Sequence, residues 1–334
     1  MTDSETESSN PAAGLRSRGM HDIGPDEMRR FRRVESRFLE ATAAAGYQEI
    51  RTPTVEPLHL FTSAGALSPQ LLDRVYSFLD WDGWSGERMV LRPDSTLPAV
   101  RWFESRADAS EGEPARLSYV QPVYRFDAGD GDRELWQCGV ELFGLAAPEG
   151  DVELLGLARE LLSALGLGAL RFELAHAGLL RAALAATGLD AAGQIEALDR
   201  VIEGGEEAVA ELAAASPEAA SGLRLLLEIR GGGEGYLDNV EAALPEAAQP
   251  IAELRAAVRT LEAAGVACDL APAAGGSFEY YTGLTFRAFT GGEACLVGGR
   301  YDGMAEAIGG RAAPASGFAA DLLRLAALAP EAAS

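Results

Sequence analysis

Lysine is absent from the 334 residues, so every one of the 28 basic side chains is an arginine, set against 51 acids for a formal charge of -23. A chain this acidic repels a phosphate backbone over most of its surface, which excludes non-specific nucleic-acid binding and leaves room only for a small basic pocket. Cysteine is scarce: Cys138, Cys268 and Cys295 lie far apart, and His21, His59 and His176 do not cluster with them. That excludes a disulfide framework and zinc-type ligand spacing, and free thiols suit a reducing cytosol. Long apolar runs are missing too, none approaching the roughly 18 residues a membrane helix needs. The opening MTDSETESSNPAAG is acidic and polar, the reverse of a signal peptide. No glycine stretch has Walker or dinucleotide spacing after a predicted strand. These absences predict a soluble cytoplasmic protein without metal or cofactor.

What is present is an ordinary globular balance, 48% hydrophobic and 24% charged, enough for one large domain or two modest ones. Residues 1–14 read as a disordered tail. Pro25 with Asp26 and Glu27 opens a helix whose apolar face is Met28, Phe31, Val34, Phe38 and Leu39, stopped by Gly46. LSYVQPVYRF and LWQCGVELFG read as strands joined by the polar loop DAGDGDRE. A helix follows at about 151–165, then a strand at Leu170, Phe172 and Leu174. From 178 to 266 the texture is Ala/Leu/Glu with helical spacing. Strands return at 278–289 and 294–301, and a last helix is expected at about 316–328. The order predicts an α+β fold, an antiparallel sheet flanked by helices, with residues 15–177 and 267–330 forming one domain interrupted by a helical insertion at 178–266.

Several short stretches carry chemistry. In RPDST, Asp94 and Thr96 are two apart on an extended chain and point the same way, which suits an ammonium group; the same residues also make a turn and a helix N-cap. YRFD offers Arg125 and Asp127 on a strand, a planar fork for a carboxylate or phosphate, or half of a cross-strand ion pair. WQCGVE puts Gln137, Gly139 and Glu141 on one face and Cys138, Val140 and Leu142 on the other, so one face is apolar and the other lines something polar. GGSFEYYTG carries Glu279, Tyr280 and Tyr281; adjacent tyrosines point to opposite faces, so at most one faces a given pocket directly, and both also suit core or rim. LVGGRYDG sets Gly298 and Gly299 before Arg300 and Asp302, where paired glycines allow a ligand or a neighbouring strand to approach closely.

In this order the stretches resemble the histidyl-tRNA synthetase family, from about Arg18 to Leu328. SRGMHDIGPDE is similar to that family's opening segment, and GYQEIRTPTVEP to its dimer-forming first motif, with Pro53 as the motif proline. RPDSTLPAVR and the stretch from PVYRF through WQCGVELFG look like the second motif and its flanks. GGSFEYYTGLTF and VGGRYDG look like the two histidine-specific motifs, and ASGFAADLLRL like the third class II motif. The resemblance implies a class II aminoacyl-tRNA synthetase-like catalytic-domain fold. It also implies a histidine pocket, with Asp94 and Thr96 at the α-ammonium, Arg125 at the carboxylate and Gln137 and Glu141 completing the polar floor. Glu279, Tyr280 and Tyr281 would lie around the imidazole, and Arg125 and Arg324 would be remnants of a nucleotide site.

The departures bear on function. Gly276, followed by Ser277, stands where synthetases of this family carry an arginine that assists amino-acid activation, so a major electrostatic contribution to adenylation is lost. Asp127 replaces a glutamate, and Asp321 and Leu323 replace the third motif's usual glycine and glutamate. The anticodon-reading domain of such synthetases, of the order of 100 residues, is expected to be lacking. The pattern is closer to the synthetase-like regulatory subunits of ATP phosphoribosyltransferase. That resemblance implies a non-catalytic subunit that activates a short catalytic subunit in histidine biosynthesis and senses histidine for feedback. It also implies a dimer built on the first motif within a hetero-octamer, and neither tRNA nor membrane as partner. The alternative is an ATP-dependent histidine-activating enzyme, kept open by Arg125 and Arg324.

Overall fold

A computed structural model of the chain describes residues 15–63, 74–81, 86–106, 113–129, 131–185, 188–190, 193–194, 196–197, 200, 209–210, 217–228, 231, 234–272 and 281–330. The expected tail at 1–14, and Gly276, Ser277, Glu279 and Tyr280, lie outside the described residues.

The first helix, α1 (Pro25–Ala44), begins where proline and two acids favour a start and buries Phe31, Val34 and Phe38. After it come β1 (Gln48–Glu49), β2 (Val55–Pro57), α2 (Leu58–Ser63), β3 (Ser77–Trp81), β4 (Gly86–Leu91) and α3 (Thr96–Glu104). The alternating stretches then fold as a hairpin, β5 (Ala115–Tyr124) and β6 (Glu134–Phe143), followed by α4 (Glu149–Ala164) and β7 (Arg171–His176). The alanine-rich block supplies α5 (Ala177–Ala185), α6 (Pro217–Glu228), α7 (Glu234–Ala243) and α8 (Ala248–Ala263). The chain returns through β8 (Ala267–Leu270), β9 (Leu284–Thr290), β10 (Glu293–Arg300), α9 (Met304–Ala307), β11 (Ala315–Asp321) and α10 (Leu322–Leu328).

Eight strands form the main sheet in the order β1-β5-β6-β11-β10-β9-β7-β8, and β2, β4 and β3 form a small antiparallel one. The central pairings are antiparallel, as the hairpin texture predicts, but both outermost pairs, β1 with β5 and β7 with β8, are parallel. A parallel neighbour requires a long crossover, and the helical block between β7 and β8 provides one. A second difference lies at 315–321. ASGFAAD is a strand rather than the start of the last helix, because it pairs with β10 on one side and β6 on the other. Backbone pairing on both sides in the sheet centre outweighs alanine's helix preference. The helix begins only at Leu322, with the Asp321 carboxylate accepting from the backbone N–H groups of Leu323 and Arg324.

The two faces of the sheet differ. One packs Cys138, Val140 and Leu142 of β6 against Phe31 and Phe38 of α1, Leu155 and Leu161 of α4, and Leu254 and Val258 of α8. Leu223 and Val240 of α6 and α7 belong to the same cluster, so the helical block and the sheet share one core. The other face carries a smaller cluster of Leu117, Phe143, Val100, Phe103, Tyr281 and Tyr301, roofed by α2, α3 and α9.

Two buried polar clusters pin these layers. Arg92, fully buried after β4, donates through Nη1 to the carbonyls of Thr52 (2.9 Å) and Pro53 (2.8 Å) and through Nη2 to that of Pro122 (2.6 Å). It therefore fastens the Pro53 segment to β5. On the helix-covered side, Arg300 at the end of β10 donates to the carboxylate of Glu253 on α8 and lies 3.6 Å from Asp151 of α4. His176 Nδ1 accepts the Gly178 N–H (3.0 Å), which leaves Nε2–H to donate to Glu253 Oε2 at 2.9 Å. Burial holds this histidine below its usual pKa, hence neutral. Burial opposes the charge on Glu253 as well, but hydrogen bonds from His176 and Arg300 prevail and bring it down to about 2. Asp151, buried and without a hydrogen bond to its Oδ2 among the described residues, is pushed up to about 7.

Arg92→Met leaves three carbonyls facing each other without a donor; urea denaturation should show a loss of about 3 kcal/mol or more. A loss under about 1 kcal/mol would mean that Arg92 does not fasten these segments. Asp151 provides a test of sign. Its folded pKa of about 7 lies above the ordinary 3.8, so the folded chain binds this proton more tightly, and the contribution to stability declines as pH rises from 3.8 to about 7. Urea midpoints of Asp151→Asn should therefore fall less over that range than those of the parent chain. Parallel pH profiles would place the titration elsewhere.

Candidate functional site

The polar face of β6 is the floor of the site. Gln137, Gly139 and Glu141 point away from the helix-covered core, as their alternation with Cys138, Val140 and Leu142 requires. Register sets their neighbours: Tyr119 of β5 lies opposite Gly139, and Gly317 of β11 lies opposite Glu141 and, on its other side, opposite Gly299 of β10. Three of these positions lack a side chain, which opens a trough across adjacent strands.

The trough holds large polar side chains flat against the backbone. A Cβ at Gly139 would stand 2.5 Å from the Tyr119 hydroxyl, and one at Gly317 would stand 2.2 Å from Glu141 Oε2 and 2.6 Å from the Tyr301 hydroxyl. A Cβ at Gly299 would be 2.7 Å from the Tyr281 ring. No alternative residue fits at these positions without displacing the site. Of the paired glycines in LVGGRYDG, Gly298 lies against β11 and Phe286, and Gly299 against β9 and the Tyr281 ring.

Glu141 is fully buried. Its Oε1 accepts the Tyr119 hydroxyl at 3.0 Å, while Oε2 has no hydrogen-bond partner among the described residues. Burial raises the Glu141 carboxyl well above the usual carboxylate range, only partly offset by the hydroxyls of Thr96 and Tyr119, and raises the Tyr119 phenol as well.

At the rim, Asp94 organises the turn into α3. Its Oδ1 accepts the Thr96 N–H at 2.8 Å, and its Oδ2 accepts Gln137 Nε2 at 3.0 Å and Arg125 Nη2 at 3.3 Å. Gln137 Oε1 in turn accepts the Ser95 N–H at 3.0 Å, and Arg125 Nε donates to the Pro93 carbonyl at 2.8 Å. Asp94 is thus both the ordinary turn residue and a carboxylate presented beside a guanidinium.

The structure brings Asp94, Thr96, Arg125, Gln137, Glu141 and Tyr281 to this one face. Tyr281 is buried with its ring centroid 6.5 Å from that of Tyr301. Arg324 does not join them: it pairs with Glu293 at 2.6 Å on the surface. Asp127 is also turned away, its Oδ1 accepting the Gly129 N–H at 2.6 Å within the β5–β6 loop. Tyr119, Tyr301 and Gly317 belong to the site but do not stand out in the sequence. The available signal for Tyr119 is its parity with Gln121 and Leu117 on a strand facing WQCGVE. Among the described residues no group of His, Cys, Asp and Glu could hold a metal ion, and no helix is long and apolar enough to cross a membrane.

Known proteins share this architecture. The profile of the histidyl-tRNA synthetase family matches residues 19–325. An ATP phosphoribosyltransferase regulatory subunit of Dehalococcoides mccartyi is 44% identical over 93% of this chain and 76% of its own length. A histidine–tRNA ligase of Archaeoglobus fulgidus is 31% identical, covering 91% of this chain and 73% of its own. A crystal structure described as an ATP phosphoribosyltransferase regulatory subunit/histidyl-tRNA synthetase from Bacillus halodurans is similar with a TM-score of 0.82 at 27% identity, over 95% of this chain and 83% of that one. The chain belongs to the histidyl-tRNA synthetase family, in its branch of ATP phosphoribosyltransferase regulatory subunits.

Proposed function

We propose that this chain activates a separate, short ATP phosphoribosyltransferase catalytic subunit in the first step of histidine biosynthesis and that its pocket senses histidine. The observation that carries this reading is the 44% identity to regulatory subunits over 93% of the chain, against 31% for a synthetase of the same family.

The pocket chemistry supports histidine as the effector. Asp94 and Arg125 already form an ion pair, and a zwitterionic amino acid can exchange into it. Its ammonium takes the Asp94 carboxylate, with Thr96 and Gln137 beside it, and its carboxylate takes the Arg125 guanidinium. One ion pair becomes two and no charge is left unpartnered. The side chain then enters the trough, where Glu141 Oε2 faces it without a partner among the described residues and Tyr281 forms an aromatic wall. By family resemblance Glu279 and Tyr280 complete that wall.

A regulatory role without adenylation draws on three positions. Gly276 offers no cation for a developing phosphate charge, Asp127 is engaged in its own loop, and Arg324 is paired with Glu293. A charge of -23 argues against tRNA as partner. In the proposed assembly the chain dimerises through the Pro53 segment and joins catalytic subunits in a hetero-octamer in the cytoplasm. Histidine acts by binding two states of that assembly unequally.

The test is phosphoribosyl-ATP formation by the matching short catalytic subunit, with and without this chain, titrated with histidine. Activation that histidine suppresses is the expected result. No activation, with histidine-dependent ATP–pyrophosphate exchange by this chain alone, would make it a histidine-activating enzyme instead. Asp94→Ala should weaken histidine binding roughly 10- to 100-fold, the range for a lost charge-assisted hydrogen bond, and leave activation in place. Loss of activation in a folded variant would show that sensing and activation are not separable.

A further inference from the structure

The segment Tyr281–Gly283 carries the pocket's tyrosine yet lies outside the strands, so its conformation depends on the groups that hold it. On one side the Thr282 N–H donates to the Arg300 carbonyl at 2.7 Å, and the Asp302 N–H donates to Thr282 Oγ1 at 2.9 Å. Gly283 lies directly on the Arg300 guanidinium; a Cβ there would stand 2.0 Å from Arg300 Nε. That guanidinium is held in place by Glu253 of α8. On the other side α5 takes over. Arg181 donates through Nη2 to the Tyr281 carbonyl at 2.8 Å and through Nη1 to the Thr282 carbonyl at 3.1 Å, and the Ala177 N–H donates to the Gly283 carbonyl at 3.0 Å.

Every carbonyl of this three-residue strap therefore ends on α5, and the side chain beneath it is aimed by α8. A planar guanidinium bound to two successive carbonyls fixes the peptide between them, and with it the direction in which the Tyr281 ring leaves the backbone. That ring lands on Gly299, where the trough has room for it.

We infer that Arg181 and Glu253, both carried by the helical block between β7 and β8, are positioning residues for Tyr281 and thereby set the affinity of the pocket for its effector. The inference rests on the histidine reading of the pocket. The helical block acts on the site without touching the effector: it holds the strap in its binding geometry beforehand, so the ordering cost is not charged to binding. Arg181 acts by hydrogen bonds to the strap itself, Glu253 through Arg300.

The experiment is calorimetric titration of histidine into the full chain and its variants, with amide hydrogen exchange at Thr282 and Gly283 read in parallel without histidine. Arg181→Met should bind histidine about 10-fold more weakly, and both amides should exchange faster. Arg181→Lys, which reaches one carbonyl but cannot bridge two, should recover part of the affinity. In a Tyr281→Ala background Arg181→Met should cost nothing further, since the ring it positions is gone. Unchanged affinity in Arg181→Met, or an equal loss with and without the ring, would overturn the inference. If the parent chain itself does not bind histidine, the reading of the pocket fails. The exchange rates then decide the positioning role separately, and unchanged rates at Thr282 and Gly283 reject it.

Discussion

The site depends on an absence of side chains at the centre of the sheet. Gly139, Gly317 and Gly299 sit on neighbouring strands facing the same way, and their missing Cβ atoms leave the space in which Tyr119, Glu141, Tyr301 and Tyr281 lie. Glycine in a strand weakens it, because it adds backbone entropy to the unfolded chain and packs nothing. The sheet tolerates three of them because its opposite face is thoroughly packed: helices α1, α4 and α8 cover it with Phe, Leu and Val side chains. The larger packed core thus lies on one face of the sheet, and the candidate site with a smaller cluster on the other.

Charge follows the same division. An inventory with arginine as its only cation side chain suits buried use, since a guanidinium stays charged and distributes several donors in fixed directions. Arg92, itself buried, donates to three backbone carbonyls, and Arg300 joins α4, α8 and the Tyr281 strap. A lysine could replace neither without losing the geometry. At the rim the pairing is looser. Arg125 and Asp94 are partly exposed and separated by 3.3 Å, so exchanging this pair for a zwitterion exposes no buried charge.

Much of this is legible in the sequence, for reasons that differ by residue. The floor of β6 follows from strict alternation in WQCGVE, because a strand with one apolar face must turn its polar residues to the other. Asp94 and Arg125 stand out as charges next to turns. The family resemblance places Tyr281. Tyr119 and Gly317 are not legible in the same way: each matters only because of what register sets beside it, and register between distant strands is not written in local composition. The same reason defeats the helix expected to begin near 316, where tertiary pairing of ASGFAAD overrides local preference. The parallel edge strands escape notice because β1 is two residues long and β8 four, too short for a periodic signal. Arg92 lies within RPDST but reads as part of a polar turn; only the three carbonyls converging on it from separate segments reveal its role.

The burial of Glu141 bears on what the trough accepts. Burial pushes this carboxyl well above its usual range, which disfavours a net charge at the base of the trough. Its Oε1 accepts the Tyr119 hydroxyl, and Oε2 lies buried over Gly317 without a hydrogen-bond partner among the described residues. Burial opposes placing a further charge there, whereas a neutral ring with one polar nitrogen would satisfy Oε2 without adding one. The same argument disfavours purely apolar side chains, which would leave Oε2 buried and unpaired. Under the proposed function, the ion pair at the rim would take a zwitterionic backbone and the buried carboxyl below a flat, hydrogen-bonding ring. Histidine would meet that description, and the strap held by Arg181 would set the Tyr281 ring beside it.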